Sequence, residues 1–118
     1  MFKSSMKILI VLMLSASILL MAYNEFMRVQ FVHQAKEVVN QQITCLAKNI
    51  YYEAAMEPYE GKLAVAQVTM NRLNHPDYPS DVCGVIYQKT GSTCQFSWVC
   101  ENVDRVSKDK YIWEECMQ

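Results

Sequence analysis

The chain has 118 residues, 52 % of them hydrophobic, and a formal net charge of −1. That length limits it to one small domain with flanking segments. The near-neutral balance excludes the basic footprint of a nucleic-acid-binding protein.

In chain order, MFKSSMK carries Lys3 and Lys7 and no acid, and Ile8 to Ala22 is a run of fifteen residues without charge. A basic start followed by an apolar core is the layout of a secretory signal or an uncleaved signal anchor. A full span needs about 20 apolar residues, and Tyr23, Phe26 and Met27 extend the run at the interface where aromatic residues settle. Leu20 spoils the small-residue pair of a cleavage site near Ala22, so a retained anchor is the expectation, with cleavage and secretion as its alternative. Lys3 and Lys7 put the N-terminus in the cytoplasm and the rest outside it. The expected organisation is 1–22 signal anchor or signal peptide, 23–42 helical stalk or linker, and 43–118 domain.

The domain is expected to open where Thr44 can cap a helix, with Ile43 already inside that helix as the alternative. Ile43, Leu46, Ala47, Ile50, Tyr51 and Ala54 follow the spacing of a half-buried helix. Pro58 stops it. Gly61 opens a second helix running to about Leu73, with Ala64, Val65 and Val68 on one face and small alanines allowing close approach to the first. The stretch NHPDYPS, residues 74–80, is a loop. Asp81 caps a short third helix, DVCGVIYQ. Lys89 to Thr93 is turn-forming, CQFSWVC is an aromatic segment between cysteines, and the tail from Glu101 to Gln118 has no clear assignment. The pattern is mainly α.

A soluble part this small needs staples, and Cys45, Cys83, Cys94, Cys100 and Cys116 supply them in an exported chain. The count is odd, so one is free or bridges two chains, and the connectivity stays open. Without a Cys-x-x-Cys, and with His33 and His75 off ligand spacing, neither a metal nor a cofactor is expected.

The candidate for chemistry is Glu53, at the end of the first helix beside Tyr51 and Tyr52. A carboxyl held against aromatic and aliphatic neighbours stays protonated near neutral pH, as a general acid must. Taken alone, a helix-end glutamate is more often a solvated residue than a catalyst. Glu57, four residues on, lies at the spacing of a second carboxylate. One helix face cannot flank a bond from two sides, so Glu57 suits substrate positioning better. Ser97 lacks a nucleophile-elbow context and no His-Glu-x-x-His occurs.

The blocks CLAKNIYYEA, EPYEGKLAVAQVTMNR, HPDYP, VCGVIYQ and CQFSWVC, taken together and in this order, resemble the cell wall hydrolase family of the spore-cortex-lytic enzyme (SleB) type. The resemblance covers about half the chain, from Cys45 to Cys100. It implies a small lysozyme-like or lytic-transglycosylase-like domain that cleaves peptidoglycan between N-acetylmuramic acid and N-acetylglucosamine. It also implies Glu53 as the single catalytic acid, protonating the leaving oxygen and then acting as base on the sugar's own 6-hydroxyl. Tyr52, Gln95, Phe96 and Trp98 are the expected lining of the sugar groove, Gln95 toward an acetamido group and Trp98 as a stacking surface. Ordinary core aromatics are the alternative for these rings. Two departures stand out: Ala55 and Met56 replace the family's Arg-Gly, and the domain is expected to be short at its C-terminal side. Both favour the rival reading, a non-catalytic, membrane-anchored peptidoglycan-binding or phage accessory protein.

Overall fold

The computed structural model describes residues 2–101 and 109–118 and is mainly α. Its elements are α1 (Phe2–Ala54), α2 (Tyr59–Leu73), α3 (Val82–Tyr87), β1 (Lys89–Thr90), β2 (Thr93–Cys94), α4 (Ser97–Glu101) and α5 (Lys110–Cys116). Contacts divide the chain within α1 into residues 1–37 and 38–118, and each part is taken by itself.

In the first part the side chains of Ile8 to Leu14 and of Ile18 to Met21 are exposed. Ser15 Oγ donates to Leu12 O and Ser17 Oγ to Met13 O, each at 2.8 Å, so both hydroxyls are satisfied within the helix. Among the described residues one helix, near the N-terminus, is long and apolar enough to cross a membrane; a signal sequence has the same character.

Thr44 does not open a helix. It lies inside α1, and its Oγ1 donates back to Asn40 O at 2.8 Å. The reason is local: no proline or glycine occurs before Pro58, so nothing interrupts the helix until its last turn at Ala54. α2 likewise starts two residues before the expected Gly61. Pro58 takes the cap position, and its carbonyl accepts from Gly61 N at 2.9 Å and Lys62 N at 3.2 Å. Gly61 is required in that first turn because a Cβ there would stand 2.8 Å from Glu57 Cβ.

Asp81 caps α3 as expected, accepting from Gly84 N at 2.8 Å, and the next orphan donor, Cys83 N, reaches Gln42 Oε1 on α1 at 3.0 Å. The turn region proves to be a two-residue hairpin, Lys89 paired with Cys94 and Thr90 with Thr93. Gly91, at φ 63°, supplies the left-handed residue its tight turn needs. The unassigned tail contains α5, capped by Asp109 through Ile112 N at 3.1 Å; residues 102–108 lie outside the described residues.

The end of α1 is the spine of the core. One side of it meets Ile86, Phe96 and Trp98 through Cys45, with Tyr52 packed alongside; another meets Cys116, Val65, Ala66, Ile112 and Trp113 through Ala47 and Ile50. Two bridges fix this arrangement: Cys45–Cys83, 38 residues apart, and Cys94–Cys100, 6 apart. Cys116 is the free cysteine. Burial pushes its thiol up, which keeps it protonated and inert.

Loop-closure entropy predicts that Cys45→Ser/Cys83→Ser costs about 4 kcal/mol and Cys94→Ser/Cys100→Ser about 2 kcal/mol. Urea denaturation of the full chain in detergent checks the order. Equal losses, or a larger loss from the short loop, would contradict it.

Lys62 Nζ donates to Glu115 Oε2 at 2.6 Å and ties α2 to α5. This bond holds Glu115 below the usual carboxylate range and Lys62 above the usual ammonium range, against smaller opposing desolvation in each case. A lowered carboxyl adds stability that is lost as pH falls through its folded value. A raised ammonium adds stability that is lost as pH rises through its folded value. The pair therefore supports the fold across the neutral range and fails at both ends. Glu115→Gln should flatten both limbs of a Tm-against-pH curve, and a curve merely displaced in parallel with wild type would refute this.

Candidate functional site

The site is set by a buried polar knot one helical turn before Glu53. Asn49 and Thr69 are both fully buried. Asn49 Nδ2 donates to Thr69 Oγ1 at 3.2 Å, Asn49 Oδ1 accepts from Trp98 Nε1 at 2.9 Å, and Thr69 Oγ1 donates to Val65 O at 3.2 Å. Three helices, α1, α2 and α4, are thereby locked together. Glu53 follows Asn49 by four residues on nearly the same helix face. Fixing Asn49 fixes where Glu53 emerges.

Glu53 emerges at an open groove of about 250 Å³, which it lines together with Ala64, Val65 and Val68 of α2 and with Phe96. Among the described residues it is the one charged residue in that lining. Glu53 is exposed, as the solvated reading of a helix-end glutamate has it, and is not enclosed by apolar neighbours as a buried acid would be. The cause is the position of α2. Val65 and Ala66 take the core contacts, while Ala64 and Val68, expected against the first helix, are left open, Val68 at 45 % exposure.

Of the expected lining residues, the structure brings Phe96 to Glu53 and leaves the others elsewhere. Trp98 is 4 % exposed, with its N–H bound to Asn49 and its ring stacked on Tyr52 at 4.7 Å and 28°. It is a core residue and offers no open stacking face. Tyr52 is half-buried between the Trp98 ring and the ring of Tyr51, which meets it edge-on at 5.4 Å. Gln95 is half-buried, and its backbone N–H donates to Gln88 O at 3.1 Å. Glu57 is exposed and borders a different hollow, with Pro58, Tyr59, Lys62 and Glu115.

A larger cavity of about 350 Å³ lies among α1, α2 and α5 and includes Ile50, Leu63, Ala66 and Cys116. Its α2 residues occupy the side away from Ala64 and Val68, so Glu53 does not reach it. Among the described residues no cluster of three or more His, Cys, Asp or Glu stands together as a metal site.

Asn49 and Thr69 were not legible as site residues. Their only signal was a polar type at an otherwise apolar helical position, which burial alone reveals. Asn49→Ala should cost about 2–3 kcal/mol, because it strands the buried Trp98 N–H and leaves the Thr69 hydroxyl only its bond to Val65 O. Thermal unfolding measures this, and a loss under about 0.5 kcal/mol, the size of an ordinary surface change, would show that the knot does not hold the helices.

The fold and groove together define a mainly α, disulfide-stapled domain carrying one carboxylate over an apolar floor. The sequence model of a family described as Cell Wall Hydrolase matches residues 56–118, and the chain belongs to that family. The match takes in the groove floor and Phe96 and begins three residues after Glu53. Similar proteins include the spore cortex-lytic enzyme of Bacillus subtilis, 48 % identical over 54 residues, which are 46 % of this chain and 18 % of that one. Those of Halalkalibacterium halodurans and Oceanobacillus iheyensis are each 47 % identical over 51 residues, 43 % of this chain and 16 % and 18 % of theirs. The chain thus spans under one fifth of the length of these curated relatives. No solved structure matches it.

Proposed function

We propose that the chain cleaves the glycan strand of peptidoglycan as a membrane-anchored enzyme, with Glu53 as its single catalytic acid. The observation that carries this reading is the placement of Glu53, alone among the described charged residues, in an open groove shared with the Phe96 ring. A sugar ring presents apolar C–H faces and a polar rim, which suits an apolar floor with an aromatic wall. A strand seated there would displace water from around Glu53 and create the surroundings an acid needs.

In this mechanism Glu53 gives its proton to the oxygen of the bond between N-acetylmuramic acid and N-acetylglucosamine as that bond breaks. The carboxylate then takes the proton of the muramic acid 6-hydroxyl, whose oxygen closes on C1 to leave a 1,6-anhydro end. Water in place of that hydroxyl gives hydrolysis instead. Either course needs one carboxylate, which fits the position of Glu57 in a separate hollow. Gln95 is suited to an acetamido group, while Tyr52 and Trp98 support the wall from within. The apolar part of α1 serves as the anchor, with Lys3 and Lys7 inside and the domain outside the cytoplasm. Two disulfides suit that compartment.

A second reading, a non-catalytic peptidoglycan-binding protein, is favoured by two observations. Glu53 is exposed, and the family match begins only at Met56.

Incubating the full chain in detergent with purified peptidoglycan, followed by mass analysis of released muropeptides, tests both. Glu53→Gln should lower release about 10²–10⁴-fold, the usual contribution of general acid catalysis, while leaving sedimentation with the wall intact. Full release by Glu53→Gln would sink the assignment. Co-sedimentation without release by the unaltered chain would select the second reading. Anhydro and reducing ends differ by one water and separate the two chemistries.

A further inference from the structure

Arg72 is a charged residue beside the groove that the proposed chemistry leaves unused. It lies one turn beyond Val68 on α2, so Ala64, Val68 and Arg72 form one i, i+4, i+8 row, of which Ala64 and Val68 line the groove. Its guanidinium carbon stands 5.0 Å from the Phe96 ring centre and 5.7 Å from that of Tyr78, in the loop after α2. Its Nη1 is shut off from solvent and has no hydrogen-bond partner among the described residues. Phe96 itself is 8 % exposed. The cation is held between two rings, and one of those rings lines the groove with Glu53.

The backbone around Phe96 is already pinned, since Cys94 and Cys100 close the short loop that carries it. That bridge does not set the direction of the ring. Packing against Cys45, Ile86 and Trp98 holds one part of it, and the Arg72 guanidinium stands over the ring, where a lysine ammonium, which is a point charge, cannot match a planar cation. We propose that Arg72 is a positioning residue: by stacking on Phe96 it fixes the aromatic wall of the Glu53 groove and so sets the fit of a sugar ring. This rests on the reading of that groove as the glycan site.

The test uses the full chain in detergent micelles, unaltered and as Arg72→Gln and Arg72→Lys. The first readout needs no substrate: proton NMR contacts between the Phe96 ring and the Ala64 and Val68 methyls. These should weaken in Arg72→Gln and recover in part in Arg72→Lys, with cooperative unfolding kept in both. The second is turnover of solubilised glycan strands. Arg72→Gln should raise the half-saturating concentration about tenfold, the scale of one cation–π contact, with kcat within about twofold.

Unchanged Phe96 contacts in both variants would overturn the proposal, as would a fall in kcat alone that tracks the unfolded fraction. If the unaltered chain turns over no glycan, the reading of the groove fails, while the NMR contacts still decide whether Arg72 holds the ring.

Discussion

A buried amide cannot be left unpaired, and this requirement organises the domain. Asn49 sits where α1, α2 and α4 meet, and its two polar ends are taken by Thr69 and the Trp98 indole. An apolar residue there would pack against many rotations of α1 about its axis. The amide accepts one. Since Glu53 is one turn further on, the rotation that satisfies Asn49 also decides which face of the domain carries the carboxylate. The groove follows from a core constraint.

Much of the architecture was legible because its signals are local. Pro58 ended the first helix region, Asp81 capped α3, and the break after Leu73 fell where the proline-bearing loop begins. The errors were at starts. Thr44 has the chemistry of a cap, but capping needs a break in the chain before it, and the sequence there has none. Gly61 looked like an opening residue, yet Pro58 already supplies the turn, and glycine serves close approach to Glu57. Bridge connectivity was open in principle, since five cysteines carry no pairing information until the helices bring Cys45 beside Cys83.

The site was legible in part for a related reason. Glu53 and Phe96 are both named by sequence and do share a groove. Periodicity cannot tell the face of a helix that packs from the face that floors an open cleft. Both are apolar, so the face of Ala64, Val65 and Val68 does not reveal that Val65 packs while Ala64 and Val68 stay open. For Trp98 the sequence left a stacking surface and a core aromatic both open, and the bond from its N–H to Asn49 places it in the core. Aromatic type alone does not separate the wall of a site from its foundation.

The two bridges also imply an order of events during folding. Closing a six-residue loop costs less entropy than closing one of 38, so Cys94 finds Cys100 readily once both are made. Cys45 has its partner on α3, far along the chain. Cys116 of α5 packs against Ala47 and Ile50, on the same helix that carries Cys45. The helix that carries the bridged Cys45 is therefore also the one against which the spare thiol is stowed.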